Sequence, residues 1–61
     1  MTKSQSRDVA TIRIHAAIGN TTAAALGLSA LIRSALRAGD RAELLAVAAE
    51  LQLREHPAFI V

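Results

Sequence analysis

The sequence predicts a mainly α-helical fold: a short N-terminal strand followed by two or three helices, with a helical hairpin among them. Three observations predict it. Residues 9–16, VATIRIHA, alternate apolar and polar side chains, the only period-two stretch in the chain. Residues 28–36 and 44–51 carry their apolar side chains at helical spacing. Alanine supplies much of the 52% hydrophobic fraction, and alanine favours helix while burying little area.

Residues 1–8, MTKSQSRD, are polar and read as a flexible basic arm ahead of one small helical domain over 9–61. In the strand, Ala10, Ile12 and Ile14 face one way, and Thr11, Arg13 and His15 the other. A strand cannot stand unpaired in water, and the chain has no good second one. The same segment of a second copy is its natural partner, which makes an intermolecular ribbon. The competing reading begins a helix over 9–18, with Ile14 and Ile18 on one face.

Gly19-Asn20 interrupts, and Asn20 or Thr21 is an N-cap for a helix starting near Thr22. That helix runs to Ala38, with Gly39 as its C-cap. Its stripe is Leu28, Leu31, Ile32, Ala35 and Leu36, with Arg33 and Arg37 opposite. Leu26 falls on the arginine side, which points to a break at residues 26–29, LGLS. Gly27 then supplies a turn and Ser29 the next N-cap. One helix or two over 16–38 stays open.

The last helix has Asp40 as N-cap and Glu43 three residues on, a capping-box-like pattern. Leu44, Val47, Ala48 and Leu51 form its stripe, and Pro57 ends it by Glu55 or His56. The tail AFIV, residues 58–61, is apolar and is expected to dock.

Sixty-one residues bury a thin core, and the absence of cysteine excludes a disulfide staple or a cysteine zinc site. Small unstapled scaffolds usually oligomerise, so an obligate homodimer or larger assembly is expected. A cysteine-free chain also fits the cytoplasm. The uncharged run 16–32 is short of the ~20 apolar residues of a membrane span and includes Asn20, Thr21, Thr22 and Ser29. No membrane span or signal peptide is expected. The net charge is +2, with Lys3, Arg7, Arg13, Arg33, Arg37 and Arg41 facing only Asp8 and Asp40 in the first 41 residues. Glu43, Glu50 and Glu55 dominate the remainder.

His15 and His56 are far apart in sequence, with no ligand spacing beside them. Ser4, Ser6, Ser29 and Ser34 have no adjacent base. One aromatic residue, Phe59, makes no stacking platform for single-stranded nucleic acid. The expectation is a non-enzyme without cofactor or metal.

Strand, helix, "GLS", helix behind a basic arm resembles the ribbon-helix-helix family of repressors and antitoxins, over about residues 9–38. The resemblance implies a homodimeric DNA-binding regulator whose two-stranded ribbon enters the major groove. Thr11, Arg13 and His15 would contact bases, and Lys3, Arg7, Ser29 and Arg33 phosphates. Ile12, Ile14, Leu28, Leu31, Ile32, Leu44, Val47, Leu51 and Phe59 would form the dimer or partner interface. The acidic last helix and tail would bind a protein or close the dimer. Residues 21–37, TTAAALGLSALIRSALR, also resemble a helix-turn-helix, with Ala23, Gly27 and Leu36 in place. The alternative from a different class is a non-enzymatic helical-hairpin interaction module, of helices 21–38 and 41–55, that binds protein and no nucleic acid.

Overall fold

VATIRIHA folds as helix. The computed structural model describes residues 1–60, and among them the chain forms α1 (Lys3–Ala17), α2 (Thr21–Ser34) and α3 (Ala38–Glu50), with no strand. Thr2 nucleates α1 upstream of the β-branched residues. Its hydroxyl accepts the Gln5 N–H at 3.0 Å, and the Gln5 side chain accepts the Thr2 N–H at 2.8 Å. This capping box turns residues 3–8, expected as an arm, into the first turns of the helix. Val9, Ile12 and Ala16 then recur at helical spacing against the core, while Ile14 is left 62% exposed. Burial along one helical face overrides a β preference resting on a few branched residues.

Gly19 ends α1 at φ +87°. Its N–H bonds the Ala16 carbonyl at 3.2 Å, and the Asn20 N–H bonds the His15 carbonyl at 2.8 Å, a Schellman motif. The Asn20 side chain then accepts the Ala23 N–H at 3.3 Å and opens α2, as its N-cap assignment anticipates. One residue thus closes one helix and starts the next. So short a connection makes α1 and α2 antiparallel neighbours.

α2 runs unbroken through LGLS. Gly27 is not a turn; it is a point of close approach to α1. A Cβ there would meet Ile12 Cγ1 at 3.3 Å. Ser29 is not an N-cap either, but a buried core residue. Its hydroxyl donates to the Ala25 carbonyl at 2.7 Å and accepts the Ile60 N–H at 3.0 Å, which pins the tail to α2. The continuous helix removes the turn that both DNA-binding resemblances require between residues 26 and 29.

α2 stops at Ser34, short of Ala38, because Ala35 turns extended and is buried. The Arg41 guanidinium takes up the Ala35 carbonyl at 2.9 Å. α3 therefore starts at Ala38. Asp40 lies in its first turn, not at the cap, and meets the Met1 ammonium at 3.0 Å. Acid in a first turn complements the helix dipole. The helix ends at Leu51, before Pro57 can act, through a second Schellman pair: Gln52 N–H to Ala49 carbonyl and Leu53 N–H to Ala48 carbonyl. Gln52 holds φ +58° there. Gln52→Gly relieves this left-handed backbone and should stabilise the chain by about 0.5–1 kcal/mol, read as a higher urea midpoint.

Leu28, Ile32, Leu44 and Leu53 are almost wholly buried, with Val9, Ile12 and Val47 around them. Ala24, Ala25, Ala35 and Ala48 are buried too and keep the helix contacts close. Ala58 and Phe59 pack against this core, so the tail docks on its own chain. Val61 lies outside the described residues.

The interface expected between two copies is thereby corrected. Ile12, Leu28, Ile32, Leu44 and Val47 are buried within one chain, and Leu31, Leu51 and Phe59 are half-buried against the same core. The burial assigned to a second copy comes from α1 and the tail. The radius of gyration, 10.2 Å, matches the ~10.5 Å of a self-contained chain of this length. No described helix is long and apolar enough to cross a membrane.

Candidate interaction groove

Between α1 and α2 lies an open groove of about 470 Å³. Asp8, Thr11, Ile12 and His15 line it from α1, and Ala23, Gly27, Ala30, Leu31 and Ser34 from α2. Apart from Leu31 the α2 wall is built of small residues, and at Gly27 the Ile12 side chain of α1 packs close. The α1 wall is polar, because Thr11 and His15 sit one turn apart beside the buried Ile12. Thr11 donates its hydroxyl to the Arg7 carbonyl at 3.2 Å, within its own helix. His15 is half-buried, and its Nδ1 is shut from solvent with no hydrogen-bond partner. Among the described residues it is the one buried side-chain polar atom left unpaired. An orphan of this kind costs about 1–3 kcal/mol.

Three large apolar side chains of α1 and α2 are exposed without lining the groove. Ile14 and Ile18 of α1 are 62% and 72% exposed. Leu26 adjoins Ala23 and Ala30 on α2 and is 51% exposed.

The base-reading row anticipated from the sequence does not survive as a row. Thr11 and His15 share a helical face, whereas Arg13 points elsewhere and pairs with Glu50 of α3. The residues proposed for phosphate are divided as well. Lys3, Arg7 and Arg33 are exposed, but Ser29 is buried under the tail. Leu36 is 98% exposed in the α2–α3 connection rather than part of a helical stripe.

Arg13 and Glu50 tie α1 to the end of α3. The Arg13 guanidinium, by hydrogen bond and charge, holds the Glu50 carboxyl below the usual carboxylate range. A carboxyl whose folded value is lowered stabilises above its unfolded value, about 4.3, and loses that contribution as pH falls through the folded value. Wild type should therefore exceed Glu50→Gln in urea midpoint at neutral pH. The gap should close in acid below the folded value. An unchanged gap in acid contradicts the tether.

Among the described residues no group of three metal-ligating side chains gathers. No protein-family model, curated protein or solved structure matches the chain.

Proposed function

We propose that this chain is a non-enzymatic helical interaction module that receives an amphipathic partner helix in the α1–α2 groove. One observation carries the proposal: a concave surface of about 470 Å³ between α1 and α2, with an α2 wall of small residues apart from Leu31. Small residues on α2 permit the close interaxial approach, about 8–10 Å, of packed helices. The unpaired Nδ1 of His15 beside the same surface adds support, since buried polar atoms usually have partners. A groove that takes the apolar face of a helix is a recurring mode of recognition.

DNA binding keeps a narrower basis. Lys3, Arg7 and Arg33 remain exposed cations, but the two-stranded ribbon meant to read bases is replaced by α1. Backbone attraction without base contacts is sequence-independent and salt-sensitive.

The test is a selection of amphipathic helical peptides, followed by amide-shift mapping on the labelled chain. Shifts centred on Thr11, His15, Gly27 and Ala30, and lost in the exposed groove variant Ala30→Trp, support the module. A duplex that binds sequence-specifically while no peptide reaches the groove overturns it in favour of DNA.

A further inference from the structure

The α1–α2 groove is rich in hydrogen-bond acceptors at one end. Asp8, Thr11 and His15 follow one another along its α1 wall at spacings of three and four residues, so they share one helical face over about 10 Å. Asp8 is the one charged residue lining the groove. It is exposed, and no ion pair engages it among the described residues. Arg7 stands about 100° round α1 from Asp8, and neither Arg7 nor Arg33 lines the groove. The Thr11 hydroxyl directs its proton to the Arg7 carbonyl at 3.2 Å, and the Ser34 hydroxyl directs its own to the Leu31 carbonyl at 3.0 Å. Each hydroxyl oxygen keeps lone pairs with which to accept. The helices run antiparallel with Ile12 set against Gly27, which puts Ser34 toward the Asp8 end and Ala23 toward the His15 end. The half of the groove from Thr11 to Asp8 therefore offers a carboxylate and two hydroxyl oxygens, and no side-chain donor.

From this pattern we infer that the groove's occupant is a basic amphipathic helix of a partner protein. A lysine or arginine of that helix lies over Asp8, and the Thr11 and Ser34 oxygens accept its remaining N–H groups. An ammonium carries three donors and a guanidinium five, so either can serve more than one of these acceptors. Hydrogen bonds with an ionised partner are also stronger than neutral ones. The guest's apolar face lies along Ala30 and Gly27, toward the His15 end. The inference rests on the interaction reading and gives it a partner class and a direction: the basic end of the guest meets the end of the groove nearer the start of α1. An acidic guest would set its carboxylates against Asp8 and leave both hydroxyl oxygens facing further acceptors.

The experiment uses two synthetic helical peptides of about 15 residues with one leucine- and alanine-rich face. They differ only in the positions flanking that face at one end, lysine in one and glutamate in the other. Binding to the full chain is measured by titration at low and high salt, with amide shifts to place the peptide. The lysine peptide should bind about fivefold tighter at low salt, as one exposed ion pair allows, and the difference should shrink in high salt. Asp8→Asn should remove most of the preference, and Asp8→Lys should reverse it. Ser34→Ala should weaken the lysine peptide about two- to threefold and leave the glutamate peptide unchanged. Both positions are exposed, and unchanged helical circular dichroism of the variants verifies the retained fold. Equal binding of both peptides in the groove, or preference for glutamate, overturns the basic assignment and leaves the interaction module standing. A lysine preference that survives Asp8→Asn overturns it too, because the attraction then lies elsewhere. No binding of either peptide overturns both readings. A concentration series of the chain alone forms the remaining arm. If the shifts of Thr11, His15 and Ala30 move with chain concentration and the self-associated form excludes the lysine peptide, the groove belongs to a second copy and the partner-protein assignment fails.

Discussion

Leu28→Ala is expected to lower the unfolding free energy by about 2–5 kcal/mol. Leu28 is fully buried near the middle of α2, the helix against which both α1 and α3 pack. The neighbours of such a site are fixed by two other helices and relax little when the side chain shrinks, so the cavity stays open. A chain of this length holds only about 3–9 kcal/mol in all. The variant should therefore melt near room temperature or be largely unfolded in dilute urea. Leu36→Ala is the matched control, because Leu36 is 98% exposed and its loss should change stability by less than about 0.5 kcal/mol. Equal losses for the two leucines, followed by helical circular dichroism in urea, contradict the packing described here.

The second large effect separates two periodicities directly. A strand puts Ile12 and Ile14 on one face and makes their truncations comparably costly. The helix puts them 200° apart, with Ile12 at 4% and Ile14 at 62% exposure. Ile12→Ala should cost about 2–4 kcal/mol, since it removes both core burial and the contact on Gly27. Ile14→Ala should cost less than about 0.5 kcal/mol. Similar losses of stability at both positions return the segment to a strand.

The sequence made some of this legible and concealed the rest, for identifiable reasons. α3 is plain because Leu44, Val47 and Ala48 repeat at helical spacing and face the core as expected. Asn20 is plain because a short polar side chain after glycine marks a helix start. α1 was hidden because its buried face is Val9, Ile12 and Ala16, and alanine carries little hydrophobic signal in a sequence full of it. Its exposed isoleucines, Ile14 and Ile18, meanwhile imitate other patterns. Gly27 and Ser29 read locally as a turn and a cap. Their actual roles, the approach of α1 and the anchoring of Ile60, come from parts of the chain 15 and 31 residues away. No local rule reports such a contact. The groove was hidden for the same reason. Of the residues singled out for phosphate, Arg7 and Arg33 are exposed, whereas Ser29 leaves the surface.

The most direct measurement is a nuclear magnetic resonance study of residues 9–15 in the full chain, combining backbone shifts with side-chain Overhauser contacts. Helical shifts, a contact between Thr11 and Ile14, and a contact between the Ile12 side chain and Gly27 would establish α1 as the wall of the groove. Extended shifts, with cross-strand contacts between symmetry-related copies and none from Ile12 to Gly27, would contradict it and put the intermolecular ribbon in its place.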